Sequence, residues 1–182
     1  MADLGSTLLK LARNAIASRF DAAAEPPEDL PELHRPGATF VTLTQAGELR
    51  GCIGSLEAHR PLGDDVQDNA CSAAFRDPRF PPLTARELPI TRVEVSLLTP
   101  PQPLPVADEK DALSRLRPNI DGLIFSARGR RATFLPQVWE QLPKAADFLA
   151  HLRRKAGLPA DYWGPDVRLE TYQVQKWKEE QP

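Results

Sequence analysis

The 182-residue sequence predicts an α+β fold, a mainly antiparallel sheet flanked by helices. Three observations carry that prediction. Strand-like runs come in close pairs joined by turn residues, at 39–53 and 122–135, which is hairpin spacing. Helical periodicities lie before, between and after those pairs. No regular strand–helix–strand beat of the kind that builds a parallel sheet connects them.

The elements follow in order. Leu4, Leu8, Leu11, Ala12, Ala15, Ile16 and Phe20 recur at helical spacing and predict an amphipathic helix over 4–20. The stretch 21–36 carries four prolines, which break both helix and strand, so it reads as a surface loop. Thr39 to Thr44 and Leu49 to Ile53 form a hairpin, with Cys52 on its second strand. Strict alternation would put Arg50 and Cys52 on one face, provided no bulge intervenes. Pro61 suits the first turn of a helix whose apolar stripe is Leu62, Val66, Ala70, Ala73 and Ala74, with Asp64, Asp65 and Asp68 on other faces. Pro78 prevents that helix from passing Asp77, leaving a stiff loop that presents Arg76, Asp77 and Arg79. Thr84 and Glu87 have capping-box spacing. Residues 90–98 alternate well enough for a strand, and 100–105 read as an extended linker. A helix over 108–116, a second hairpin over 122–135 with a basic turn at 128–131, and a helix over 144–156 stopped by Gly157 follow. The loosely alternating 167–177 would be one closing strand.

Composition narrows the function. A net charge of −2 with 26% charged residues provides no global basic field for nucleic acid or acidic membrane, so a small molecule or a protein is the better partner class. No apolar run is long enough to span a membrane, and the N-terminal residues do not resemble a secretion signal, so a cytoplasmic location is expected. Two cysteines without CxxC spacing exclude a disulfide framework, and three scattered histidines without HxH or HExxH spacing give no metal site. The sequence names no cofactor. Glycine-rich phosphate loops and a GxSxG elbow are absent.

The candidate site centres on Leu-Arg-Gly-Cys-Ile-Gly at 49–54. Gly51 and Gly54 around Cys52 suggest a thiol in a crowded or sharply bent backbone. Arg50 would favour the thiolate if its head group reached the sulfur. The alternative for Cys52 is a small buried side chain. His59, seven residues on, is a candidate general base, or an ordinary loop residue. Glu94 is a candidate proton shuttle if its strand face points into a cleft, and a solvated residue otherwise. Arg76, Asp77 and Arg79 could clamp a carboxylate or phosphate through paired guanidinium donors, or serve as turn caps and ion pairs.

Five segments in order resemble one family. They are Leu-Arg-Gly-Cys-Ile-Gly-Ser-Leu at 49–56, Arg-Asp-Pro-Arg-Phe-Pro-Pro at 76–82, Val-Glu-Val-Ser-Leu-Leu-Thr at 93–99, Asp-Gly-Leu-Ile at 121–124 and Leu-Pro-Gln-Val at 135–138. Together they look like an AMMECR domain, whose prokaryotic members are called AmmeMemoRadiSam system protein A. The resemblance covers about residues 5–178 as a single domain. It implies two unequal, intimately packed lobes, with the Arg50–Gly54 motif bordering a cleft between them. It also implies association with a Memo-like protein and a radical S-adenosylmethionine protein, and puts Arg50, Gly51, Cys52 and Gly54 first among site residues, then Asp77 and Arg79. The family's chemistry is not given by the resemblance. Two readings stay open: a protein that binds and transforms a small polar or anionic ligand using Cys52, and a non-catalytic accessory or scaffold for those two partners.

Overall fold

The structure, a computed structural model, describes residues 3–180. Among them are α1 (Leu4–Ala17), β1 (Ala38–Gln45), β2 (Glu48–Gly54), α2 (Leu62–Phe75), β3 (Arg92–Leu98), β4 (Gln102–Pro103), α3 (Glu109–Arg115), β5 (Gly122–Ala127), β6 (Arg130–Phe134), α4 (Ala145–Lys155), β7 (Arg168–Tyr172) and β8 (Val174–Lys178). The strands form two antiparallel sheets, ordered β2-β1-β3-β8 and β4-β7-β5-β6, so the predicted α+β class holds. Thr99–Val174 is one unit, and the chain before and after it is the other.

Two predicted elements resolve differently. The single closing strand over 167–177 is two strands, one in each sheet. The break falls at Gln173, whose N–H is bonded to the Thr99 hydroxyl and whose carbonyl accepts the Thr99 N–H, both at 2.8 Å. Within the extended linker, Gln102 and Pro103 pair with Thr171 and Glu170, because a two-residue edge strand tolerates a proline on its free side.

In the first unit, Leu8, Ala12 and Ile16 of α1 and Val66, Ala70 and Ala73 of α2 pack on Val41, Leu43, Val93 and Val95 of the sheet. The Asp3 carboxylate caps α1 by accepting the Ser6 N–H at 3.0 Å. Both hairpins turn on two residues with positive φ, Ala46-Gly47 and Arg128-Gly129, the backbone that matches the twist of paired strands. In the second unit, Trp139 stacks on Phe148 with centroids 3.8 Å apart, and Phe134 meets Phe148 edge-on. The Trp139 indole N–H is bonded to the Asp121 carbonyl at 2.7 Å, which ties the Asp-Gly and Leu-Pro-Gln-Val segments into that core.

Asp65, read from the sequence as lying off the apolar stripe of α2, is fully buried. Its carboxylate accepts from the Thr39 N–H and hydroxyl, the Ser55 hydroxyl, the Asn69 amide and the Arg60 guanidinium at 2.6–3.1 Å. A charge taken out of water needs several partners, and these five supply them. The spacing Asp65 to Asn69 puts both on one turn of α2, facing the start of β1.

Helix α2 sits unusually close to β2. A Cβ on Gly51 would lie 2.1 Å from the Ala73 carbonyl oxygen, whereas on Gly54 it would meet the Phe40 ring at 2.2 Å. Backbone cannot swing aside as a ring can, so Gly51→Ala is expected to cost about 1–3 kcal/mol in urea denaturation, and more than Gly54→Ala. Equal losses for the two variants would contradict this account.

Candidate functional site

β2 is an edge strand of the first unit's sheet, and its pairing with β1 carries a bulge: Leu43 faces Gly51, and the next residue, Thr44, faces Leu49. Arg50 is the extra residue. The insertion overturns the strict alternation expected for Arg50 and Cys52, because two residues then oppose one and the face reverses at that point. Arg50 is buried, with Nε 2.9 Å from a Glu87 oxygen and Nη2 2.8 Å from the Pro81 carbonyl. Its guanidinium lies 5.9 Å from the centroid of the Phe80 ring. Glu87 also accepts from the Thr84 N–H and hydroxyl, which makes the expected capping box, and from Gln45.

Cys52 is half-buried. Its N–H donates to the Asp77 carboxylate at 3.0 Å, and its carbonyl accepts from Arg79 at 3.3 Å. Asp77 in turn accepts two bonds from the Arg79 guanidinium and one from its N–H, at 2.7–3.1 Å. The side chains of Asp77 and Arg79 thus take the place of a neighbouring strand along one residue of the edge. The Arg79 guanidinium beside Asp77 holds its carboxyl well below the usual carboxylate range, with the Cys52 and Arg79 N–H groups adding to the effect against the cost of burial.

The sulfur contacts the Thr42 hydroxyl at 3.3 Å. Thr42 stands directly opposite Cys52 on one side and Glu94 on the other, so Cys52, Thr42 and Glu94 form a row across three strands on one sheet face. The Lys178 and Lys176 ammonium groups of β8 lie 3.4 and 4.0 Å from the Glu94 carboxylate. The row therefore offers a thiol, a hydroxyl, a carboxylate and two ammonium groups. The opposite face, with Val41, Leu43, Val93 and Val95, is core.

The other predicted residues are not in this row. His59 is exposed, with Nδ1 2.9 Å from the Glu57 carbonyl in its own loop. Arg76 folds back on α2 and bonds Asp68 and Ser72. Gly51 meets α2 and Gly54 lies against Phe40. Sequence reasoning missed Thr42, Lys176 and Lys178. Thr42 is one of three threonines in an ordinary strand run, and only the register singles it out; the lysines come from a strand distant in sequence. Among the described residues, no three His, Cys, Asp or Glu side chains are grouped to hold a metal ion, and no helix is long and apolar enough to cross a membrane.

The comparisons agree with this architecture. The AMMECR1 family model matches residues 9–177. The chain belongs to the AMMECR1 family. A protein of Methanothermobacter thermautotrophicus is 42% identical over 98% of the chain and 95% of its own length. One of Methanopyrus kandleri is 36% identical over 98% of the chain and 89% of its own. The crystal structure of the uncharacterized protein PH0010 from Pyrococcus horikoshii is similar with a TM-score of 0.80 and 35% identity, covering 98% of this chain and 92% of that one. In this AMMECR1-family chain, the Arg50–Gly54 motif and the Asp77–Arg79 pair meet at one strand edge, although 25 residues separate Cys52 from Asp77.

The pairing of Arg50 with Glu87 has a pH signature. Its bond to Arg50, supported by Thr84 and Gln45, lowers the Glu87 pKa from 4.5 to about 2 against the opposing effect of burial. A depressed folded pKa contributes stability that is whole above 4.5 and is lost as pH falls toward about 2. Glu87→Gln should therefore be less stable than the parent at neutral pH, with the gap closing across that acidic window in denaturant titrations. A gap that stays constant from pH 7 to pH 2.5 would refute it. At the buried hub of α2, Asp65→Ala leaves the Thr39 N–H and the Thr39 and Ser55 hydroxyls without their acceptor, and a loss of about 3 kcal/mol is expected by the same measurement.

Proposed function

We propose that this is a cytoplasmic protein that binds, and acts on, a small anionic ligand along the Cys52–Thr42–Glu94 row. The observation that supports this reading is the row itself, three chemically different side chains at adjacent register positions beside two lysines. Cross-strand neighbours on one face stand about 5 Å apart, so the row spans a ligand of a few bonds. Lys176 and Lys178 would attract the anionic group, with Glu94 offsetting part of their charge. Cys52 would supply the nucleophile or redox-active thiol, and Thr42 would hold the sulfur through its hydroxyl. Asp77 and Arg79 fix the backbone that carries the thiol, a supporting role in place of the ligand clamp that their sequence suggests. Arg50 likewise serves Glu87.

A second reading has its own support. Arg50, Gly51, Arg76, Asp77 and Arg79 are all engaged within the first unit. A motif so occupied in holding structure suits a non-catalytic accessory for the Memo-like and radical S-adenosylmethionine proteins that the resemblance implies. Cys52 would then matter for its size.

The test is a thermal-shift screen with small carboxylates and phosphates, followed by iodoacetamide labelling of Cys52 in a Cys71→Ala background. A ligand present at 100 times its Kd should add about 2.7 kcal/mol of stability, protect Cys52 from labelling, and lose at least fivefold in affinity in a Lys176→Gln, Lys178→Gln variant. Cys52→Ser should keep the ligand and lose any turnover. If the panel gives no shift and no protection, while Cys52→Ala supports cellular function, the accessory reading replaces the first.

A further inference from the structure

We propose that Arg13 and Glu179 are positioning residues for the Cys52–Thr42–Glu94 row, a clasp behind β8 that holds Lys176 and Lys178 in front of Glu94; this rests on the reading of that row as an anion site. β8 is an edge strand, bonded to β3 alone. Its sequence, Val-Gln-Lys-Trp-Lys, holds one large apolar side chain, so hydrophobic burial specifies its register weakly. Specific contacts set it instead, and they lie on one face of the strand.

Alternation sorts the side chains. Lys176 and Lys178 reach the Glu94 carboxylate, at 4.0 and 3.4 Å, while Trp177 and Glu179 turn to the helix side and both meet α1. The Trp177 indole packs so close to Gly5 that a Cβ there would lie 2.3 Å from the ring. About two turns further along α1, the Arg13 guanidinium holds the Glu179 carboxylate by two bonds, Nε to Oε1 at 2.5 Å and Nη2 to Oε2 at 2.6 Å. Nη2 also donates to the Thr91 carbonyl at 2.5 Å, which anchors the guanidinium at the start of β3. Glu179 in turn closes the β3 edge: Oε2 accepts the Val93 N–H at 2.9 Å, its own N–H donates to the Val93 carbonyl at 3.0 Å, and its carbonyl accepts from Arg92 Nε. All of these bonds fix the residue next to Lys178. A slip of β8 by one residue would turn the lysines off the polar face, and a slip by two would take Glu179 from Arg13 and one lysine from Glu94. Yet among the described residues the clasp makes no hydrogen bond or ion pair with Cys52, Thr42 or Glu94, so it acts on the row only through the lysines.

Iodoacetate and iodoacetamide make the test, as reagents for Cys52 in a Cys71→Ala background at about 10 mM ionic strength, where charges act over about 30 Å. In both reactions the thiolate sulfur bonds to the reagent's methylene carbon and iodide leaves, and only iodoacetate is an anion. The ratio of the two rates therefore reads the positive charge near the sulfur, whereas a general change in folding or exposure moves both rates together. Lys176→Gln with Lys178→Gln should lower the ratio about twofold. Arg13→Gln and Glu179→Gln keep both lysines, and each should lower it by a comparable factor. Loss of the Glu179 charge would by itself raise the ratio, so a fall in that variant reports displaced lysines. Arg13→Lys should restore part of the ratio, and Arg13→Gln added to the two lysine substitutions should lower it no further. A ratio that falls with the lysine substitutions and keeps its parent value in both clasp variants overturns the clasp and leaves the anion reading standing. A ratio that the lysine substitutions do not move overturns both.

Discussion

The contact between α2 and β2 at Gly51 sets the conditions for everything around Cys52. A helix normally stands off a sheet by the thickness of two layers of side chains. Here Gly51 contributes none, and the Ala73 carbonyl occupies the space its Cβ would need. Alanines at 70, 73 and 74 keep the facing helix surface equally thin. Because α2 lies so low, the loop that leaves it at Arg76 starts beside the β2 edge, and Asp77 and Arg79 need only their own side-chain length to reach the Cys52 peptide groups.

That arrangement also solves the problem of an unpaired strand edge, which would otherwise offer donors and acceptors to another chain. Each edge is treated differently. Asp77 and Arg79 occupy the outer side of β2 at Cys52. β4 is two residues long and ends in a proline. On β6 the Thr133 carbonyl accepts from Lys155 at 2.8 Å. Arg79 and Asp77 pair with each other and with the Cys52 peptide groups, so both serve the strand edge.

Once those structural duties are subtracted, the chemistry left on the first unit's polar face is the Cys52–Thr42–Glu94 row with its lysines. The row is assembled by register. Moving β2 by one residue against β1 would send Cys52 to the core face, which is why the bulge at Arg50 matters beyond its own position. It lets Arg50 turn toward Glu87 while the residues after it keep the phase that aligns the sulfur with Thr42.

The sequence by itself determined the element types, the two hairpins, the capping box at Thr84 and Glu87, and the family, because periodicity, turn residues and short motifs are local properties of the chain. It also singled out Cys52 and Asp77 as separate candidates, and only the structure brings them together. It did not determine that Arg50 sits in a bulge, that Asp65 is buried, or that 167–177 divides between two sheets. Those outcomes depend on partners far away in sequence: Leu43 and Gly51 in one register, Thr39 and Ser55 closing on a carboxylate, Thr99 bonding Gln173. Tertiary structure alone decided them, since a backbone donor or a charge takes the partner that desolvation leaves within reach, and no spacing along the chain records which one that is.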